Sequence, residues 1–327
     1  MKTKSIESTR RQFLGQSASC GAWVATLAAL SPRAARRVFA LTQDEVVATE
    51  KWGRIEKVAD NMWALISTLD EQDYTTVCNG GIIAGTDRVL AVETFMKPEG
   101  ARWLAEWAEK LTGRWPDEVV VTHYHADHSA GMSGYLEGDR SPRIWLSDET
   151  RQQIQASRPD TEIPDIISAL DAQEVTRVDL GSRQVALQPR SGHTNSDIVV
   201  EVADPNVVWT GDLFFNRMVP NYRDSRPGVL NEVVDEMARE GETIYVPGHG
   251  PVADAEALAL YREFLGMVQQ AATEARQAGS PAEAAATEFT LPEKFSDWFI
   301  FAPEVMPNAF AAWYRQLESD AGESRDR

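Results

Sequence analysis

The segment Thr122-His123-Tyr124-His125-Ala126-Asp127-His128, placed where the apolar run 118–122 ends, constrains this chain more than any other stretch. Side chains spaced by two at a strand end project to one side, so His123 and His125 can share a cation. Asp127 and His128 can reach a neighbouring cation from the turn that follows. Three more polar clusters lie further on, each at the end of an apolar run: Ser191-Gly192-His193-Thr194, Thr210-Gly211-Asp212 and Pro247-Gly248-His249-Gly250. The histidines of these clusters are all that the chain has. One isolated histidine is usually structural, but a full set confined to strand-terminal loops, with glycine beside three of the clusters, is not explained by packing. Glycine lets the backbone turn sharply and approach closely, as a converging ligand set requires.

Around these clusters, short runs of strand character alternate with helical patterns. Strands are predicted over 62–67, 81–84, 88–93, 118–122 and 143–146, with helices over 98–111 and 148–156, the second capped by Ser147. Runs 175–180 and 184–189 read as a hairpin about Gly181-Ser182, and 197–202 and 206–210 as strands turned by Asp204-Pro205. A helix over 229–239 and a strand over 243–246 follow. This order suits two α/β halves packed sheet to sheet with helices outside. Residues 253–278 read as one long helix with Leu258, Leu265 and Val268 on its packing stripe. We expect the main domain to cover 41–278, a linker over 279–287, and an aromatic-rich helical extension over 295–317 that either caps the site or completes the fold.

The chain opens with Ser8-Thr9-Arg10-Arg11-Gln12-Phe13-Leu14, followed by a mild apolar run at 18–30 and small residues at 34–40. This resembles a twin-arginine export signal. The resemblance implies cleavage near residue 40, the twin-arginine machinery as partner of the precursor, and a periplasmic or otherwise exported product. The apolar run is too short to span a bilayer, so no stable membrane anchor is expected. The formal net charge is -18. Nucleic acid is therefore not an expected partner, because neutralising phosphates needs clustered Lys and Arg. A small-molecule substrate is expected instead. Cys20 and Cys78 are too few for a disulfide framework.

The pattern HxHxDH, then GHT, GD and PGHG, resembles the metallo-β-lactamase superfamily of hydrolases over roughly 55–250. The fold this implies is the αββα four-layer sandwich. Carried over residue by residue, the resemblance implies that His123, His125 and His193 hold one zinc ion and that Asp127, His128 and His249 hold a second. Asp212 bridges the two. Manganese or iron are the alternatives for such a mixed imidazole and carboxylate set. Two close cations would ionise a shared water near neutral pH for attack on a carbonyl, with Asp127 orienting it or passing a proton to the leaving group.

Bridging Asp212 favours relatives such as glyoxalase II, lactonases and RNase Z-type nucleases over the narrow zinc β-lactamases. Phe215, where a quorum-lactone lactonase would carry Tyr, weakens the lactonase reading. The implied reaction is hydrolysis of an ester, thioester, lactone or β-lactam. The alternatives are a mononuclear iron oxidoreductase like persulfide dioxygenase and a phosphodiesterase of the same superfamily. Asn216, Arg217, Asn221, Tyr222 and Arg223 after the bridging position form either a substrate wall or a packed loop.

Overall fold

The computed structural model describes residues 46–68, 73–161, 163, 164, 167–171, 173–238 and 242–323. The expected leader at 1–40 lies outside the described residues. Two sheets face each other. The first joins β1 (Val46–Glu50), β2 (Gly53–Ala59), β3 (Met62–Ser67), β4 (Gly80–Ala84), β5 (Val89–Val92), β6 (Glu118–Val120), β7 (Arg143–Ser147) and β8 (Ile167–Leu170) in chain order. It is antiparallel from β1 to β5 and parallel from β5 to β8. The second runs β13-β12-β11-β10-β9, built from β9 (Thr176–Asp179), β10 (Gln184–Arg190), β11 (Asp197–Ala203), β12 (Asn206–Phe215) and β13 (Ile244–His249). Only its β12–β13 pair is parallel.

Strand alternation explains why the sheets stack. On β3, Met62, Ala64 and Ile66 point between the sheets, where they meet Ile198, Val200 and Val202 of β11 and Val207 and Trp209 of β12. Trp63 and Leu65 point the other way into a separate core. A sheet covered on both faces reads as a continuous apolar run, as all six buried residues of β3 do.

The outer core of the first sheet is closed by α1 (Pro98–Thr112), whose Ala101, Leu104, Ala105 and Ala108 recur at helical spacing. Two further helices, α2 (Ala126–Ser129) and α3 (Asp148–Ser157), follow, and Ser147 Oγ caps α3 by accepting from Thr150 N at 2.9 Å. The outer face of the second sheet is covered by α4 (Pro227–Met237), α5 (Ala255–Gln277), α6 (Ala282–Glu288) and α7 (Val305–Glu323). Three apolar layers thus separate helix, sheet, sheet and helix, the αββα sandwich.

Three segments differ from the sequence reading. Strands β1, β2 and β8 carry no clear pattern in the sequence; β1 is an edge strand with four of five residues exposed. Residues 279–287, expected as a linker, contain most of α6, whose Ala285 and Ala286 are buried in the outer core. The aromatic extension completes the fold: Phe295, Trp298, Phe301, Phe310 and Trp313 are buried against α5 and the second sheet. Among the described residues, no helix is long and apolar enough to cross a membrane.

Candidate metal centre

The polar clusters meet at one edge of the sandwich because strands of both sheets run out there. His123 follows β6, His193 lies in the turn between β10 and β11, Asp212 sits within β12, and His249 ends β13. Parallel pairing of Gly211 with Pro247 brings the last two side by side. Ile198 N donates to Thr122 O at 2.9 Å, tying the sheets together beside the cluster. Asn79 fixes the His249 loop from the other side, its Nδ2 donating to Pro247 O and Gly250 O at 2.9 and 2.7 Å. Close approach explains the glycines: a Cβ on Gly248 would overlap the Asp212 carboxylate, and Gly211 takes φ +51 against Thr122.

All seven candidate residues converge. His125 Nδ1 lies 3.0 Å from His123 Nε2 and 2.9 Å from His193 Nε2. Asp212 Oδ2 lies 3.2 Å from His193 Nε2 and 3.8 Å from His123 Nε2. Its other oxygen, Oδ1, lies 3.1 Å from His128 Nε2 and 3.3 Å from His249 Nε2. Asp127 Oδ2 closes that second group at 3.4 Å from His249 Nε2 and 3.6 Å from His128 Nε2. The donor atoms form two sets, each mutually within 4.8 Å: His123, His125, His193 and Asp212, and Asp127, His128 and His249.

Outer partners decide which nitrogen faces inward. The Thr122 hydroxyl donates to Glu93 Oε1 at 2.5 Å and so accepts from His123 Nδ1 at 3.0 Å, leaving the Nε2 lone pair directed at the cluster. Glu93 Oε1 also accepts from His128 Nδ1 at 3.0 Å. His125 is reversed: its Nε2 donates to Asp224 Oδ2 at 3.1 Å, so Nδ1 turns inward. A carboxylate behind a ligating imidazole is how proteins fix its tautomer and raise its basicity.

Electrostatics fit a cation site. Burial, reinforced by neighbouring imidazoles, pushes His123 well below its ordinary pKa and His193 down to about 3, so both present neutral lone pairs. His125 Nδ1 faces both of these nitrogens at hydrogen-bonding distance, and a cation among them could accept all three. In the second set burial opposes charge on His128 and His249, but Cys78 with Asp212, Glu93 and Asp127 outweighs it at His128, raising it strongly, and Asp212 with Asp127 outweighs it at His249, raising it to about 9. Burial likewise opposes ionisation of Asp212 and Asp127, yet the adjacent histidines hold both carboxyls ionised, Asp127 down to about 2. The positive charge supplied here by protonated imidazole is what a bound cation would supply. Buried His128 Nε2 and Asp212 Oδ1 make no hydrogen bond, so a cation that displaced the His128 proton would find both atoms without another partner.

Only Asp127 and His125, with side chains 14% and 18% exposed, open the cluster to solvent; His123, His128, His193, Asp212 and His249 are buried. Phe215 packs behind, stacked on His249 with ring centroids 5.0 Å apart. The segment after Asp212 is a packed loop: Asn216 Nδ2 donates to Pro251 O, Arg217 pairs with Asp297, and Tyr222 is fully buried. Two residues absent from the sequence reading matter here. Glu93 was signalled by an acid ending the apolar run 89–92, whereas Asp224, about 100 residues from His125, left no local signal.

An αββα sandwich with paired His and Asp sets at the joint edge of its sheets defines a metallohydrolase class. The chain belongs to the metallo-beta-lactamase superfamily, whose family model matches residues 74–249, more than half of its 327 residues. It is accordingly an enzyme of that hydrolase superfamily. It is 24% identical over 221 residues to the metallo-beta-lactamase type 2 of Bacillus sp. (strain 170), covering 64% of this chain and 82% of the relative. It is 23% identical over 175 residues to the acyl-coenzyme A thioesterase MBLAC2 of Gallus gallus, covering 48% of this chain and 58% of that one. In fold it is similar to the stereoselective inverting sec-alkylsulfatase Pisa1 from Pseudomonas sp., with a TM-score of 0.62 at 13% identity over 80% of this chain and 50% of the sulfatase.

Proposed function

We propose that the chain is a dinuclear zinc hydrolase that cleaves a carbonyl substrate: an ester, thioester, lactone or β-lactam. The observation that carries this reading is Asp212, whose Oδ2 faces His123 and His193 while Oδ1 faces His128 and His249. One carboxylate facing both donor sets would serve a pair of cations, one held by each set. His123, His125 and His193 would hold the first ion, Asp127, His128 and His249 the second. When bound, such a pair supplies an ionised water near neutral pH and polarises the carbonyl oxygen.

The chain's own residues do the rest. Buried His123, His193 and Asp212 form a rigid floor, so substrate approaches over the exposed side, between His125 and Asp127. Asp127 is ionised, lies within the second set and reaches solvent, the position for a group that takes a proton and delivers it to the leaving atom. Relatives named as a β-lactamase and as a thioesterase support a carbonyl target, since both substrates present one. We further read residues 1–40 as a twin-arginine export signal and the enzyme as periplasmic.

The test is a metal count on purified protein, followed by a panel holding a chromogenic cephalosporin, S-lactoylglutathione, a lactone, aryl esters and a phosphodiester. Two zinc ions per chain and turnover of a carbonyl compound are expected. One iron per chain, or turnover of the phosphodiester alone, defeats the reading.

A further inference from the structure

Next to the exposed side of the metal centre lies a cavity of about 190 Å³, lined by Tyr124, Glu149, Gln153, Asn195, Ser196 and Asp224 among others. It is separated from the donor cluster by one imidazole ring. His125 turns Nδ1 to the cluster and Nε2 to Asp224, and Asp224 is part of the cavity wall. Besides the loop that carries Asp224, three elements build it. The HxHxDH loop contributes Tyr124, the turn after His193 contributes Asn195 and Ser196, and α3 contributes Glu149 and Gln153. Those last two are four residues apart and therefore share one helix face.

The wall offers acceptors that are not spent on the protein. Asp224 uses Oδ2 for both Tyr124 Oη, at 2.8 Å, and His125 Nε2, at 3.1 Å, and keeps Oδ1. Glu149, Gln153 and Asn195 make no side-chain hydrogen bond within the described residues, and none of the lining residues is Lys, Arg or His. Nearby Arg158 is turned away, its guanidinium donating to Tyr124 O and Ser129 Oγ, and Arg223, exposed next to Asp224 and near enough to act on Tyr124, is not part of the wall. A cavity with two carboxylates, two amides and no cation complements a group that donates N–H bonds and carries positive charge.

Resting on the hydrolase reading above, we propose that this cavity is a substrate subsite for a cationic, N–H-donating substituent, a primary ammonium or guanidinium. Bound there, the group places the scissile carbonyl over His125 and Asp127. The preferred substrates are therefore esters, thioesters or amides whose acyl part bears such a group a short chain away from the carbonyl. Acyl parts ending in a carboxylate meet Glu149 and Asp224 and are disfavoured.

The test uses the metal-loaded full chain and three aryl esters of equal acyl length ending in an ammonium, a hydroxyl or a carboxylate. The expected kcat/KM ratio of ammonium over carboxylate ester is roughly tenfold or more, the scale of one charge contact near a protein surface. Glu149→Lys and, as a second variant on the same face, Gln153→Lys are expected to collapse or invert that ratio. A ratio near one in the wild type, or one that neither substitution moves, overturns the subsite. Should no ester turn over, the wider substrate panel decides the hydrolase reading, and titration with butylammonium against butanol, followed by NMR, decides the cavity separately. Saturable binding of butylammonium alone, lost in Glu149→Lys, supports it; equal or absent binding overturns it.

Discussion

Replacing Asp224 with Ala removes the acceptor that holds His125 Nε2 and leaves the cluster itself untouched. Loss of an outer carboxylate of this kind typically costs about 10- to 100-fold in metal affinity. Burial decides where in that range each carboxylate falls. The Asp224 side chain is 39% exposed, so water can take its place behind the ring, and the loss should lie near tenfold. Glu93 is 1% exposed and accepts from Thr122 Oγ1, Thr122 N and His128 Nδ1. Glu93→Ala strands those donors at about 1–3 kcal/mol each, so it should lower the melting temperature as well as the affinity. The assay is chelator competition on the zinc-loaded protein, read ion by ion, with Tyr124→Phe as control because it keeps the His125–Asp224 contact. Asp224→Ala should weaken only the ion held by the three-histidine set. Unchanged affinity, or equal weakening of both ions, would refute the reasoning that Asp224 acts through His125.

Other outcomes are equally open to measurement. Asp212→Ala removes the one carboxylate facing both donor sets and should abolish the second metal and turnover, checked by elemental analysis and a hydrolysis assay. Cys78 is fully buried and burial holds its thiol far above the ordinary range. At neutral pH it therefore stays protonated, and a Cys20→Ser protein should react with a thiol reagent only after unfolding. Trp313→Ala on α7 should destabilise the fold by about 3–5 kcal/mol in denaturant titration, since the ring is buried in the outer core. A reporter fused to residues 1–45 should leave the cytoplasm, and lose export when Arg10 and Arg11 become Lys.

What the sequence disclosed and what it withheld divide along a physical line. Apolar runs buried on both faces, such as β3 and β11, announce themselves by composition, and so did the candidate metal-site clusters, because each follows an apolar run and three of the four carry glycine beside the His or Asp. Edge strand β1 and half-buried β2 mix charged with apolar residues and leave no period to read. Residues 279–287 contain Gly279, Ser280 and Pro281, which read as a linker, but the alanines that follow are buried by a helix arriving from the far end of the chain. Tertiary burial overrode local punctuation there.

The same division runs through the site. The direct donors are legible because their chemistry restricts them to His and Asp in a fixed pattern, whereas the groups that orient them need only an acceptor within reach. Asp224 comes from a loop that only the fold carries to His125, so no spacing rule could find it. Such freedom has a functional consequence. The donor set is bound to one geometry, but the residues that orient His125 also line the neighbouring cavity, so substitutions there can alter substrate preference and tune one ion while the donors stay unchanged. Members of one superfamily with a common donor pattern can in this way act on different carbonyl compounds, and the residues that separate them lie outside the motifs by which the family is recognised.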